Sequence, residues 1–231
     1  VKCVGVWDTV GSYGVPAGIG LAPLARYIAL ASLGFHDTHL GDYVEFGFHA
    51  VAIDERRRAF VPTFWTARKD QPPKNVVEQS WFAGAHSNVG GGEPDPGLST
   101  GALIWMIARM EALTGLAFDT DAVKAATAKA NIDGEVYDST LGWPIDHHWP
   151  HLRTMLPPHA VKHGFFTSTP DPTEERINER VHWSPMKKRG RPCTVFGVEE
   201  TPYNPLNMPQ NMPSERIAAI TPEEQSLLGA E

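Results

Sequence analysis

Near its middle the chain reads Val76-Val77-Glu78-Gln79-Ser80-Trp81-Phe82, an apolar, strand-like run that continues through Ala83-Gly84-Ala85 to His86 and a glycine-rich turn. A short apolar run bounded by glycines is typical of a buried strand. Histidine is the side chain best suited to moving protons near neutral pH, and glycines beside it permit a sharp turn and the close approach of a ligand. We therefore predict a strand at 76–83 that presents His86 at its end.

The start of the chain repeats this design with an acidic residue. Residues 2–7 are rich in valine and predict a central strand, and Asp8 follows where that strand ends. A carboxylate and an imidazole at two strand ends are two of the three members of a catalytic triad. Two simpler interpretations are favoured by the bare sequence, since aspartate is a common turn former and a lone histidine at a strand end more often makes a structural hydrogen bond.

Bulk composition limits the classes of function. The chain has 231 residues, 42% hydrophobic and 20% charged, which suits one large domain or a domain and a half. A formal charge of −7 argues against a nucleic-acid partner. No apolar run approaches the roughly 20 residues of a membrane helix, and the first residues do not resemble a signal peptide.

The pattern of elements predicts an α/β fold built on a doubly wound, mostly parallel sheet. We expect the main domain over 1–200 and a proline-rich tail over 201–231. Helices are predicted for the following stretches: 23–33, 43–58, 99–113, 121–131 and, from its charges, 173–181. A further strand is predicted at 194–198. The chain opens without a methionine and inside a strand, so we expect a fragment whose parent carries further strands before it.

Two other groups of residues have the chemistry of functional sites. Cys3 and Cys193 lie in strand-like runs and are predicted to be free thiols rather than a disulfide. The segment Asp146-His147-His148-Trp149-Pro150-His151 has histidines at metal-ligand spacing, but Pro150 interrupts the helix that would make this spacing useful. We interpret it as a surface loop and expect no metal or cofactor, with a metal-dependent hydrolase as an open alternative.

Several motifs, in order, resemble one known family. They are Val4–Ser12, His49–Arg57 with Phe60, Trp81–Gly92, Leu98-Ser99 through Trp105-Met106-Ile107, Asp138-Ser139 and Arg180–Ser184. Together they are similar to the bacterial and fungal α/β-hydrolase family that includes type VI secretion phospholipase effectors. The resemblance covers about residues 1–190. It departs from the family at Asn88, where aspartate is usual, and at Glu93, where an aromatic residue is usual.

The resemblance implies an α/β-hydrolase fold and ester hydrolysis, with a lipid or small ester as substrate. Asp8 would be the triad acid and His86 the triad base. It also implies contact with a membrane surface and delivery by a secretion system as an effector. From the residues themselves, Arg56–Arg58 is interpreted as a solvated helix end rather than a phosphate clamp, although a lipid headgroup could touch it. The family's nucleophile lies in a Gly-x-Ser-x-Gly elbow that precedes the first strand seen here. A truncated, non-catalytic module that binds a partner or a lipid is the alternative.

Serines within the chain are poor substitutes for that nucleophile. Gly97-Leu98-Ser99-Thr100-Gly101 matches the elbow pattern but follows a proline-containing loop and comes after His86, so Ser99 is interpreted as a helix cap. Ser87 neighbours His86 and is predicted to point away from it. Ser12 has no elbow around it. We therefore predict that this chain is inactive alone.

Overall fold

A computed structural model of the chain describes residues 1–10, 38–163 and 168–229. Its strands are β1 (Cys3–Trp7), β2 (Phe46–Ala52), β3 (Thr66–Arg68), β4 (Val76–Phe82), β5 (Ala160–His163), β6 (Ser168–Asp171), β7 (Glu174–Arg176), β8 (Glu179–His182), β9 (Pro192–Val195), β10 (Val198–Pro202) and β11 (Ile217–Ala218). Its helices are α1 (His86–Gly90), α2 (Gly97–Thr114), α3 (Thr120–Thr127), α4 (Pro144–His148), α5 (Trp183–Lys188) and α6 (Pro222–Leu228).

A five-stranded parallel sheet with flanking helices forms the centre of the fold, in the order β1-β2-β4-β8-β11. This confirms the predicted α/β class. Trp7 pairs with Ala50, and Ala52 pairs with Phe82. The carboxyl ends of β1, β2 and β4 therefore meet at one edge of the sheet. Ligand sites in parallel α/β sheets form at such an edge.

Two apolar clusters cover the two faces of the sheet. On one face, residues of β2 and β4 pack against α1 and α2 through Phe48, Phe82, Val89, Trp105 and Met106. The other face is covered mainly by side chains from loops. Its cluster consists of Val51, Ile53, Phe64, Trp81, Met155, Val181 and Met208. Because β2 is buried on both sides, its sequence shows no alternation of apolar and polar residues.

Several predicted elements are confirmed and others are wrong. The helix at 99–113 is α2, which ends at the left-handed Gly115, and the helix at 121–131 is the shorter α3. The helix predicted at 43–58 is wrong because β2 occupies its centre. The one predicted at 173–181 is wrong because β7 and β8 occupy it. Within the described part β1 is an edge strand rather than a central one.

Other predictions are refined. The strand predicted at 194–198 is divided between β9 and β10, which pair in an antiparallel hairpin. Cys3 and Cys193 are free thiols, as predicted. The helix predicted at 23–33 lies outside the described residues. No helix in the described ranges is long and apolar enough to cross a membrane.

Residues of the predicted tail add to the main sheet. Tyr203 and Met208 are buried, β11 pairs in parallel with β8, and α6 packs on α2. The proposed boundary at residue 200 remains a prediction.

Candidate active site

Asp8 occupies a fully buried position at the carboxyl end of β1. Its backbone has a left-handed φ of 44°, and its N–H donates to the Ala50 carbonyl at 2.7 Å. The carboxylate Oδ1 accepts the N–H of Ala52 at 2.8 Å. These bonds to β2 aim the carboxylate across the edge of the sheet rather than into solvent.

His86 begins α1, four residues after the end of β4, and its Nδ1 lies 2.7 Å from Asp8 Oδ2. The side chain is one-third exposed. An ionised aspartate only accepts hydrogen bonds, so Nδ1 carries the proton and Nε2 of the neutral ring is an acceptor. No residue in the described ranges bonds to Nε2. The two residues singled out from the sequence are thus in direct contact, in the geometry of an acid and base pair.

Arg153 is a third member of this group that the sequence did not reveal. Its buried guanidinium pairs with both Asp8 oxygens, Nη1 to Oδ1 at 2.5 Å and Nη2 to Oδ2 at 2.9 Å. The same nitrogens donate to the carbonyls of Ala52 at 2.7 Å and Phe60 at 2.5 Å. Such two-pronged pairing fixes the plane of the carboxylate as well as its charge.

The environment of Asp8 keeps it ionised. Burial by itself would raise the pKa of the Asp8 carboxyl. The Arg153 guanidinium and the hydrogen bonds from His86, Arg153 and Ala52 outweigh burial and hold the pKa well below its ordinary value. Asp8 is therefore an anion at neutral pH, able to orient His86 and to stabilise an imidazolium.

Glu55 is a second buried carboxylate at this edge, supplied by the loop after β2. It accepts the His86 N–H at 3.3 Å and the Ser139 hydroxyl at 2.9 Å. Arg57 binds it through its backbone N–H and its guanidinium, at 2.7 to 3.0 Å. Burial raises the pKa of Glu55, but the bonds from Arg57 and nearby Arg153 bring it below the ordinary value. Glu55 thus holds the first backbone N–H of α1.

Aromatic rings form a wall beside the imidazole. The Phe60 ring lies edge-on to His86 with centroids 5.1 Å apart, and Trp143 lies edge-on to Phe60 at 6.0 Å. The Arg57 guanidinium lies over Phe60, 3.5 Å from its centroid. The predicted helix end at Arg56–Arg58 is wrong: Arg56 pairs with Asp138, and Arg57 pairs with Glu55. Their charges are neutralised within the fold.

The turn between β4 and His86 is fixed by polar side chains. The Gly84 N–H donates to the buried Asp54 carboxylate at 2.7 Å. Asn88 Oδ1 accepts the N–H groups of Ala85 at 3.1 Å and Tyr137 at 3.0 Å, while its Nδ2 donates to the Glu135 carbonyl at 3.1 Å. An ionised aspartate here could not make this last bond. Asn88 therefore holds the turn through bonds to backbone groups of Ala85, Glu135 and Tyr137.

Replacement of Gly84 by alanine is expected to lower the free energy of unfolding by about 2–4 kcal/mol. Gly84 has φ 108°, and an added Cβ would lie 2.3 Å from Asn88 Cβ. Gly91→Ala is the matched control, since Gly91 has φ 90° but open space around an added Cβ. Urea denaturation would measure both. Equal losses in the two variants would contradict the steric argument.

Two of the three serines considered from the sequence bond to other groups. Ser99 is inside α2 and donates to the Pro96 carbonyl at 3.1 Å, so it does not cap the helix as predicted; Pro96 holds that position. Ser87 donates to Glu93. Ser12 lies outside the described residues.

The histidine-containing segment near residue 147 forms no metal site in the described part of the chain, where no cluster of three or more suitable side chains occurs. Asp146 accepts the Arg58 N–H at 3.0 Å, and His147 Nδ1 lies 3.0 Å from the Thr140 hydroxyl. His147 and His148 belong to the short helix α4 rather than to the predicted loop.

Comparison with protein families gives a match over the first part of the chain. Residues 1–109 match the model of a family described as "T6SS, Phospholipase effector Tle1-like, catalytic domain". This supports the resemblance to type VI secretion phospholipase effectors seen in the ordered motifs. The matched region contains both Asp8 and His86. Neither the curated proteins nor the solved structures gave a match.

Proposed function

We propose that this chain carries the acid and the base of a phospholipase effector that hydrolyses carboxyl esters of phospholipids. The contact of 2.7 Å between His86 Nδ1 and Asp8 Oδ2 carries the proposal. The family match over 1–109, which includes both residues, supplies the substrate class and the delivery by a type VI secretion system.

In the proposed reaction His86 moves the protons. Its Nε2 takes the proton of an attacking serine hydroxyl as that oxygen bonds to the ester carbonyl carbon. The imidazolium formed then gives its proton to the leaving alcohol as the carbon–oxygen bond breaks. Water then attacks the acyl-serine ester while His86 Nε2 takes its proton. His86 returns that proton to the serine oxygen as the fatty acid is released.

Asp8 and Arg153 set the properties of that base. Asp8 keeps the proton on Nδ1, which leaves Nε2 directed at the substrate side. The Arg153 guanidinium offsets much of the Asp8 charge, so the imidazolium is stabilised less than beside an unpaired carboxylate. We propose that Arg153 keeps Asp8 ionised and fixes the plane of its carboxylate.

We propose that the attacking serine belongs to an element that comes before β1 in the parent protein. α/β-Hydrolases place nucleophile, acid and base in that order along the chain, and Asp8 and His86 fit the last two places. Gly97–Gly101 follows the base and lies at the start of α2, where an elbow has no strand before it.

Phospholipid hydrolysis and serine labelling test this function together. We expect the 231 residues alone to leave a short-chain p-nitrophenyl ester intact. With the preceding reading frame restored, we expect release of fatty acid from phosphatidylethanolamine and labelling of one serine by a fluorophosphonate. Asp8→Asn or His86→Gln should prevent the labelling.

Two results would refute the proposal. His86-dependent ester hydrolysis by the 231 residues alone would refute the assignment of the serine. A restored protein that binds phospholipid without hydrolysing it would favour a non-catalytic lipid-binding module.

A further inference from the structure

A cluster of exposed apolar side chains lies close to the candidate site. The described part of the chain exposes ten large hydrophobic residues, and four of them fall between 141 and 152. These four, which we call the apolar rim, are Leu141 (73% exposed), Ile145 (71%), Trp149 (68%) and Leu152 (44%). Exposed large apolar residues concentrated in so short a stretch of the chain point to an interaction site.

The fold holds the rim next to His86. Trp143, in the middle of the segment, contacts Phe60, and Phe60 contacts His86. Two hydrogen bonds attach the segment to the loop after β2. Arg58 N–H donates to the Asp146 carboxylate at 3.0 Å, and His151 N–H donates to the Arg56 carbonyl at 2.9 Å. The rings of Trp143 and Phe60 therefore connect the segment that carries the rim to the candidate base. The segment is also attached to the loop that contains Phe60.

The charge of the segment departs from that of the whole chain. Between residues 139 and 152 the one acidic residue is Asp146, which is buried and bonded to Arg58, whereas the chain carries a formal charge of −7. His147 and His148 are exposed on α4. The exposed part of this segment is thus apolar and carries no acidic side chain. A phospholipid surface, with acyl chains under partly anionic headgroups, complements this combination.

We propose that the apolar rim docks the protein on a phospholipid bilayer. Ile145 and Trp149 enter the headgroup region, where the amphipathic indole ring is stable. Docking brings the exposed side of His86 to the membrane surface. The catalytic purpose of the docking rests on the proposed function, but the docking itself requires no catalysis.

Co-sedimentation with sucrose-loaded vesicles tests it. The vesicles contain phosphatidylethanolamine and phosphatidylglycerol, and binding is measured up to about 1 mM lipid. The triple variant Leu141→Ser, Ile145→Ser, Trp149→Ser removes the rim. The matched control is Leu116→Ser, Val198→Ser, Leu206→Ser, at three exposed positions elsewhere in the chain (48%, 61% and 87%).

We expect the rim variant to bind vesicles at least about 100-fold more weakly than the unmutated protein. The affinity of the control variant should change by less than about threefold. Thermal unfolding monitored by circular dichroism should be alike in both, because the replaced side chains are exposed. Reduced quenching by brominated lipids in Trp149→Phe would further support insertion of that ring.

Three outcomes would overturn the docking. They are a parent protein that does not sediment with vesicles, equal loss in both triple variants, or a dimer that the rim variant alone dissociates. The last would assign the rim to a second copy of the chain. Vesicle binding without hydrolysis by the protein with the preceding reading frame restored would instead refute the proposed function and leave the docking intact.

Discussion

His86→Gln is expected to lower kcat/KM for phospholipid hydrolysis by at least about 10³-fold in the protein that carries the serine. Glutamine keeps a polar side chain of similar size at the start of α1, but its amide cannot take a proton from an alcohol. The loss should appear in kcat, because the proposed role of His86 is on the reacting atoms and not in binding the lipid. Release of labelled fatty acid under single-turnover conditions measures the chemical step.

His159→Gln is the matched control, because His159 is a partly exposed histidine whose ring bonds to Lys69 rather than to any residue of the candidate site. It should keep the parent rate. If His86→Gln retained more than about a tenth of the parent kcat, His86 would not be the general base.

Arg153→Met is expected to lower the free energy of unfolding at neutral pH by about 3–5 kcal/mol. Methionine fills much of the space of the arginine side chain, but it leaves the Asp8 carboxylate buried without its cation. It also removes the donors to the Ala52 and Phe60 carbonyls, which lie in the interior. Urea denaturation at pH 7 measures the loss.

The same variant should change the response to acid. In the unmutated protein the pKa of folded Asp8 lies below its ordinary value. Asp8 therefore stabilises the fold above about pH 4, and this contribution is lost as pH falls toward the folded pKa. Without Arg153, burial raises the folded pKa, and unfolding in acid should begin at higher pH. Denaturation across a pH series follows the change.

Arg109→Met separates this effect from the loss of an ordinary ion pair. Arg109 pairs with Glu78 at a partly exposed position, so its removal should cost about 1 kcal/mol or less and leave the acid response unchanged. Equal behaviour of the two variants would contradict the special role of Arg153.

The contact between Asp8 and His86 follows from local signals in the sequence. Each residue comes after an apolar, strand-like run, and parallel strands bring their carboxyl ends to one edge. The helix α2 could also be predicted from the sequence, because an apolar stripe and a terminal glycine at 115 mark its extent.

The errors have physical causes. Val44 and the β2 residues Phe48, Val51 and Ala52 fall at helical spacing, but β2 is buried on both faces, and burial on both faces removes the two-residue period. Between 173 and 181 the charges suggested an exposed helix. They instead lie on two short strands separated by Asn178, which has a φ of 45°.

Arg153 and Glu55 could not be predicted from sequence pattern. Arg153 is 145 positions from Asp8 and stands in a stretch that forms neither helix nor strand, so no spacing rule connects the two residues. Glu55 adjoins a run of arginines, and its burial depends on bonds from Arg57, Ser139 and His86 that form only in the folded chain.

The pairing of Asp8 with Arg153 has a consequence for genetic experiments on this protein. Because one carboxylate both contacts His86 and joins β1 to a distant loop, an Asp8 mutant that loses activity in cells would not distinguish a failed reaction from a shortage of folded protein. His86 is one-third exposed and bonds through its ring to Asp8 alone among the described residues. Substitution at His86 is therefore the better choice for an inactive but folded reference strain.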